Sequence, residues 1–350
     1  KAAKPIANRQ PFRGAQSYRA IAAFHETTAA MTADDRYQKV AGVLARLQRE
    51  KLSGSGYFHV DNTLEAHATS AGLSFYRRAT KSGYTVTVRS DGTTGRESSR
   101  IGSGWAGIGS MYRASDVDVE ALTGIAIEKA VRSANPQPFE MGRPFTVIMV
   151  AGVASGFVQA LLRTVAGGAL TVDGWSSPRK VGEKHASDKL TVRSKPDHPL
   201  VMDSPYGHGG RPAREVVWIE KGIVRAVPGG DAGPAESLVV DGGTKSIEDL
   251  VSEMDHGILI TQAGASLRDI TPGHVNGITK NGLFMIENGK IARPLKNAWY
   301  SVRLQDVVNA IEDVSRPYKT ALFGSEGLRG NVMPALRVAN FRFDRLSDAV

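Results

Sequence analysis

Histidines are the first candidates for chemistry in this sequence, since the chain has eight of them and no cysteine. Without cysteine there is no disulfide, no thiol nucleophile and no thiolate metal ligand. His25 is followed by Glu26, as at the start of a zinc-protease helix. That helix needs a second histidine four or five residues later, and residues 27–31 contain none. We therefore expect His25 to be a surface or linker residue.

Three other histidines fall in one loop-rich region together with three aspartates. These residues are His185, His198, His208, Asp188, Asp197 and Asp203. Imidazoles with nearby carboxylates are sufficient to bind a transition metal, so a relocated metal site on His185, His198 and His208 stays open as an alternative. His59 and His67 are expected on neighbouring strands, without carboxylate partners at a telling spacing. His256 and His274 flank a predicted strand and are expected to be structural.

The remaining catalytic motifs are missing or lack their context. The sequence has no G-x-S-x-G nucleophile elbow and no G-x-x-x-x-G-K-[ST] phosphate loop. A G-x-G-x-x-G match at Gly102, Gly104 and Gly107 does not lie between a clear strand and a helix, as a dinucleotide site requires. We expect a flexible or closely packed loop there. The residues alone therefore predict no catalytic constellation.

Length and composition bound the class of protein. With 350 residues the chain exceeds one typical domain, so two domains are expected. Its 41% hydrophobic and 23% charged residues are typical of a globular protein. No apolar run reaches the roughly 20 residues that a membrane span needs. With the missing cysteines, this favours a cytoplasmic protein that does not contact a membrane.

The net charge raises a second alternative, a basic nucleic-acid-binding module. The formal charge is +9, from 44 basic and 35 acidic residues. The charges are spread along the chain, and the densest basic segment, 179–195, also carries Glu183 and Asp188. We therefore expect a solvated basic surface and no nucleic-acid partner.

The first part of the chain predicts an arm at 1–31 and a middle α+β domain at 32–138. Asp34 or Asp35 is expected to cap a helix that ends near residue 51. Its apolar face is expected to be Tyr37, Val40, Leu44 and Leu47. Short strands are predicted at 56–60, 63–70, 73–79 and 84–90, before a second helix at 116–133. The buried side of that helix is expected to be Val119, Leu122, Ile125, Ala126 and Val131.

The polar break Asn-Pro-Gln-Pro at 135–138 is the predicted boundary to a C-terminal domain at 139–350. There, strands are predicted at 145–150, 257–261 and 333–345, and helices at 155–166, 246–254 and 304–314. Residues 167–214 predict a loop-rich stretch. Hairpins are predicted at 215–226 and 283–295, the second around Asn288-Gly289. Helices and antiparallel hairpins without βαβ alternation predict an α+β fold, with antiparallel sheets, packed helices and a β-rich C-terminal domain.

Four ordered blocks of sequence resemble one known family. They read V-G-E-K-H-A-S-D-K-L-T-V at 181–192, R-E-V-V-W-I-E-K-G-I-V at 214–224, H-G-I-L-I-T at 256–261 and N-G-L-F-M-I-E-N-G-K-I-A-R-P-L-K-N at 281–297. The family is that of the TldD/PmbA metallopeptidases, also called modulators of DNA gyrase. The resemblance covers about residues 30–345. The family's usual first N-terminal segment is missing, so the sequence looks truncated.

The resemblance implies a zinc site that this sequence does not reproduce. Active members of the family carry a His-Glu-x-x-x-His helix after the strand that opens the C-terminal domain, and a cysteine ligand further on. The matching helix here, V-A-S-G-F-V-Q-A-L-L-R-T-V-A-G-G at 153–168, has no His, Glu, Asp or Cys. Ala160, Leu161 and Val165 offer zinc no lone pair. No catalytic and no metal-binding residue is therefore predicted, and no cofactor in this chain.

The departure matches the PmbA/TldE-like branch of the family, which lacks the zinc motif. The resemblance then implies a non-catalytic subunit that binds small unfolded peptides as an added strand and helps to process or degrade them. Its expected partner is a zinc-containing TldD-like subunit in a heterodimer, or a second copy in a homodimer. No peptide-binding residue can be carried over from the family.

Overall fold

Six helices and twenty-one strands make up the described part of the chain, which in the computed structural model comprises residues 13–90, 101–167, 170–171, 174–175, 177–266, 273–321 and 330–348. The N-terminal unit, residues 13–134, contains α1 (Glu26–Ala29), α2 (Ala33–Arg49), β1 (Ser53–Ala68), β2 (Ser74–Arg89), β3 (Ser103–Met111) and α3 (Val119–Arg132). No helix among these residues or the other described ones is long and apolar enough to cross a membrane.

The C-terminal unit, residues 135–348, contains three main sheets. Its helices are α4 (Ala151–Val165), α5 (Ile247–Ser252) and α6 (Leu304–Asn309). Its strands are β4 (Phe145–Met149), β5 (Leu170–Thr171), β6 (Gly174–Trp175), β7 (Val192–Ser194), β8 (Val216–Glu220), β9 (Ile223–Val224), β10 (Leu238–Val240), β11 (His256–Ile260), β12 (Ala263–Ser266), β13 (His274–Thr279), β14 (Leu283–Glu287), β15 (Lys290–Leu295), β16 (Ala298–Arg303), β17 (Ile311–Val314), β18 (Tyr318–Ala321), β19 (Gly330–Met333), β20 (Leu336–Phe341) and β21 (Arg345–Leu346).

The N-terminal unit is an antiparallel meander, β1-β2-β3, covered by α2 and α3. The four short strands expected from the sequence join into two of 16 residues each. The expected breaks at Asp61 and Lys81 face each other in the ladder, so pairing continues through both. His59 and His67 consequently lie on one strand, roughly 26 Å apart along it, and the expectation of neighbouring strands was wrong.

The two long helices of the N-terminal unit, α2 and α3, do not bury all of the residues that the sequence predicted to be buried. Helix α2 begins after Thr32, whose hydroxyl accepts from the Asp35 N–H while the Asp35 carboxylate accepts from the Thr32 N–H. The cap is thus Thr32, with Asp35 as its capping-box partner. Leu47 is buried as expected, but Tyr37 is 58% and Leu44 56% exposed.

Helix α3 buries a narrow face of small and branched residues. This face consists of Val119, Thr123, Ala126, Ile127 and Ala130. Ile125 and Val131, expected inside, are 46% and 56% exposed. The reason lies in β3, which packs so closely beneath α3 that only small side chains fit.

Strand β3 is the segment that the sequence predicted as a loop. Gly104 lies against the backbone of α3, where a methyl group on it would stand 2.1 Å from Ala126 O and 2.6 Å from Ala130 N. Gly102 meets Ala130 O in the same way, at 1.9 Å. The expectation of close packing was right, but the segment is a strand paired to β2.

The central sheet of the C-terminal unit has the order β15-β14-β11-β4-β20-β17, with β11 and β4 parallel and the other neighbours antiparallel. A second sheet has the order β18-β19-β10-β7-β8-β9, and a third β12-β13-β16-β21. Helix α4 lies among them, with ten of its 15 residues buried. Helix α5 covers the opposite face of the central sheet.

The α+β fold class and both predicted hairpins are confirmed. The second hairpin, β14–β15, turns at Asn288 and Gly289, which have the expected positive φ of 51° and 73°. The predicted helix at 304–314 was wrong in its second half. There β17 pairs with β20 and buries Ile311 and Val314, because this pairing outweighs the local helical periodicity.

Candidate functional site

A cleft between the two units is lined by three strands that each lie at the edge of a sheet. Strand β3 contributes residues 105–107, β12 residues 263–264 and β18 residues 318–320. Within the described chain, each of the three pairs with a neighbour on one side only. The cleft has a volume of about 680 Å³. The edge of a sheet is the place where a further strand can add to it.

Helix α4 provides another wall of this cleft. The residues that line it are Gly152, Val153, Gly156, Gln159, Ala160 and Arg163. They recur every three or four positions, so they share one face of the helix. Gly152 and Gly156 have no side chain, which leaves room in the cleft.

The start of α4 is held by a residue of the cleft wall. Val150 precedes the helix and has no side chain that could cap it. Instead the N–H of Ala151 donates to the Tyr318 hydroxyl at 2.9 Å. Burial raises the pKa of Tyr318 to about 12, so the hydroxyl stays protonated at neutral pH. Tyr318 thereby holds the N-terminus of α4 against β18, the edge strand of the second sheet.

Replacing Tyr318 with phenylalanine is expected to lower the free energy of unfolding by about 1 kcal/mol, because the helix N–H loses its acceptor. Urea unfolding of Tyr318→Phe measures the loss. Tyr37→Phe is the matched control, since Tyr37 is 58% exposed. Equal stability of both variants and the wild type would contradict the capping role.

Two lysines line the cleft and are largely buried. Lys129 Nζ donates to Trp105 O at 3.1 Å, and Lys319 Nζ donates to Leu200 O at 2.5 Å and Ser110 O at 3.4 Å. Among the described residues, neither ammonium donates to a carboxylate. Burial lowers the pKa of each lysine to about 8. Backbone carbonyls therefore hold both ammonium groups, which compensates the partial burial of a charge less well than an ion pair does.

A chain of buried hydrogen bonds joins the N-terminal unit to the cleft. The Ser103 N–H donates to Ser133 Oγ at 2.9 Å, and Ser103 Oγ donates to Asn281 Oδ1. Asn281 Nδ2 in turn donates to Gln262 Oε1. In this arrangement Gln262 Nε2 is buried and has no partner within the described chain. Gln262 is 4% exposed and lines the cleft.

A second cavity, of about 500 Å³, adjoins the cleft, and Gln159 lines both. The wall of this cavity that β1 and β2 form carries Glu65, Arg77 and Lys81. Glu65 accepts from the Tyr206 hydroxyl at 2.7 Å and lies 3.8 Å from Arg77. The lining of this cavity is about equally polar and apolar, while that of the cleft is more apolar.

The histidines expected as an alternative metal site occupy different surroundings. His185 is 6% exposed, and its Nε2 has no partner among the described residues. His198 Nδ1 accepts from the Leu200 N–H at 3.2 Å. Burial is the main cause that lowers the pKa of both. The side chain of His208 lies outside the described residues, so the proposed triad stays a prediction.

The aspartates near these histidines have other partners. Asp197 pairs with Arg19 at 2.6 Å, and Asp203 accepts from Ser237 Oγ at 2.7 Å. In the described part of the chain, no three histidine, aspartate or glutamate side chains come together as metal ligands.

The helix on which the resemblance places zinc is α4, and its residues do not fit that ion. On the cleft side it offers two glycines, the amide of Gln159 and the cation of Arg163. Zinc takes thiolate, imidazole or carboxylate ligands, and the sequence contains no cysteine. We derive no reaction step through a metal for this chain.

Comparison with known proteins agrees with the resemblance. The family described as the PmbA/TldA metallopeptidase C-terminal domain matches residues 142–228 and 232–345, more than half of the 350 residues. A protein of Methanothermobacter thermautotrophicus named "Metalloprotease" is 23% identical over 240 residues, which are 62% of this chain and 52% of that protein. The chain thus spans about half the length of that relative.

Solved structures share the whole fold. TldE from Thermococcus kodakarensis has a TM-score of 0.78 at 18% identity, over 98% of this chain and 81% of its own. A protein of Thermotoga maritima described as a modulator of a DNA gyrase has a TM-score of 0.79 at 16% identity, over 97% and 81%. A protein of Bacteroides thetaiotaomicron, described as a modulator of DNA gyrase, has a TM-score of 0.76 at 16% identity, over 95% and 76%.

Proposed function

The chain belongs to the TldD/PmbA family of metallopeptidases, and on that premise we propose that it is a metal-free, non-catalytic subunit that binds extended peptides. The observation that carries this proposal is the convergence of three edge strands, β3, β12 and β18, on one cleft. A peptide added as a strand binds mainly through backbone hydrogen bonds, which tolerate many side-chain sequences.

The non-catalytic part of the proposal rests on the chemistry of α4. The face of this helix that lines the cleft presents Gly152, Gly156, Gln159 and Arg163, and none of these is a usual zinc ligand. Cleavage would then depend on a zinc-containing relative in a heterodimer, although a homodimer that only holds peptide is consistent with the same cleft. We propose that the complex works in the cytoplasm on small unfolded peptides.

The test blocks the cleft at β12. A Cβ at Gly264 meets no atom within 4 Å and Gly264 lines the cleft, so Gly264→Trp is designed to place an indole in the cleft. We expect the affinity for a dye-labelled, unfolded peptide to fall at least about tenfold, since the indole occupies the space of one peptide residue. Fluorescence anisotropy measures the affinity, and circular dichroism checks the fold.

The matched control is Gly124→Trp on α3. A side chain at Gly124 contacts only the flexible end of Arg46, at 3.8 Å or more, and Gly124 does not line the cleft. This variant should bind peptide as the wild type does. If the wild type binds no peptide, alone or with a zinc-containing relative from the same genome, the proposed function is wrong.

A further inference from the structure

One face of α3 presents apolar side chains to the cleft. Leu122, Ile125 and Lys129 recur at intervals of three and four residues, so they share one face of the helix, and all three line the cleft. Leu122 is half-buried, and Ile125, which the sequence predicted to be buried, is 46% exposed. Because this apolar stripe, Leu122 and Ile125, lies within the cleft, a ligand that fills the cleft would cover it.

Helix α4 adds apolar surface to the same cleft. Val153, Gly156 and Ala160 line it, at positions that share one face of α4. Val150 and Ile247 line it as well, and both are half-buried. Glycine and alanine leave space, while the branched side chains supply apolar contacts. The cleft can therefore enclose an aliphatic side chain of a ligand.

The position of α3 on β3 determines which side chains of an added strand would meet the stripe. Gly102 and Gly104 both lie against the backbone of α3, so α3 covers the face of β3 that these alternate residues share. A peptide that added to the edge of β3 would continue its sheet, with side chains that alternate between the two faces. Every second side chain of the peptide would then point to the α3 side, where Leu122 and Ile125 line the cleft.

We propose that the stripe of Leu122 and Ile125 selects peptides that place an aliphatic side chain in the cleft. This inference rests on the proposed peptide-binding function and narrows its substrate class. An aliphatic side chain on the stripe removes apolar surface of both partners from water. A polar side chain of the same shape gives up hydrogen bonds to water instead, so it binds more weakly.

The experiment compares two dye-labelled peptides on the full chain, identical except for one residue, which is valine or threonine. These residues have the same shape, and both favour strands. The difference in affinity between the two peptides therefore reports the polarity of the side chain. We expect the valine peptide to bind about fivefold tighter than the threonine peptide in fluorescence anisotropy.

Variants of α3 assign this preference to the stripe. Ile125→Ser should reduce it to about twofold or less, while Ile125→Leu restores the apolar surface and should keep it. The matched control is Val131→Ser, since Val131 is a β-branched residue of the same helix, is 56% exposed and does not line the cleft. This control should keep the fivefold preference. Because both side chains are about half exposed, neither serine should unfold the chain, which circular dichroism checks.

Failure of this selectivity can be separated from failure of the proposed function. Equal affinity of the wild type for both peptides overturns the selectivity and leaves peptide binding intact. A wild type that binds neither peptide overturns both. If Ile125→Ser keeps the fivefold preference, the stripe is not the selective surface; a change of oligomeric state of that variant in sedimentation would then show that a second copy of the chain covers Ile125.

Discussion

Replacing Gly104 with alanine is expected to lower the free energy of unfolding by about 3 kcal/mol, at the upper end of overpacking effects. The added methyl group would stand 2.1 Å from Ala126 O and 2.6 Å from Ala130 N. Both are backbone atoms and cannot rotate away, so helix α3 must move from strand β3. This movement would also loosen the buried contacts between Ala126, Ala130 and the sheet.

Urea unfolding measures this loss, with Gly264→Ala as the matched control. Gly264 also lies in an edge strand of the cleft, but a methyl group there meets nothing within 4 Å. We expect the control to change stability by less than about 0.5 kcal/mol. A loss below about 1 kcal/mol in Gly104→Ala would contradict the close packing of α3 on β3.

Replacing Lys129 with methionine is expected to stabilise the fold at pH 7 by about 2 kcal/mol. Burial lowers the pKa of Lys129 from 10.5 to about 8, and each pKa unit corresponds to roughly 1.4 kcal/mol. The charge therefore costs about 3 kcal/mol, from which about 1 kcal/mol is subtracted for the lost hydrogen bond to Trp105.

The difference in stability between Lys129→Met and the wild type should depend on pH. Below pH 8 the lysine is charged in both the folded and the unfolded chain, and the full cost of burying the charge is present. Between about pH 8 and 10.5 the folded chain loses this proton first, so the stability of the wild type rises with pH. The stability advantage of Lys129→Met should narrow over that window.

Chemical denaturation at pH 7, 8, 9 and 10 measures both quantities. Lys319 has a similarly lowered pKa, so part of the rise with pH should remain in Lys129→Met. Lys290→Met serves as the control for loss of one positive charge. If Lys129→Met is less stable than the wild type at pH 7, burial of the Lys129 charge does not lower the free energy of unfolding of the wild type.

Elements fixed by local chemistry could be predicted from the sequence. The Asn288-Gly289 turn is one, since its positive φ angles select a tight hairpin. The helix α5 is another, because Ser246 and Asp249 form a complete capping box at its start. In both cases the determining interactions lie within a few residues.

Elements fixed by distant contacts could not be predicted in this way. The segment around Gly104 was predicted as a loop because the contact that requires this glycine is not local. It is made with the backbone of α3, more than 20 residues later in the sequence. Residues 311–314 continue a helical pattern, yet β20 draws them into a sheet. For α2, the apolar Tyr37 and Leu44 look like core positions, but no element of the described part of the chain covers them.

The candidate site shows the same limit. That α4 lacks zinc ligands could be seen from the sequence, because that conclusion needs only the residue types. Lys129, Gln159 and Gln262 carry no signal, since an isolated lysine or glutamine is ordinary in any chain. They belong to the candidate site because they line the cleft, and their burial and hydrogen bonds depend on how the two units pack.

Hydrogen bonds between serine, asparagine and glutamine side chains connect the cleft to residues outside it. Ser133 at the end of α3, Ser103 at the start of β3, Asn281 and Gln262 form one continuous set of buried hydrogen bonds. This set crosses from the N-terminal unit to the C-terminal unit, so it contributes to the docking of the two units. A ligand whose binding shifts Gln262 or Asn281 would be coupled to this docking, and by thermodynamic reciprocity a change in the docking would alter the affinity for that ligand by the same factor.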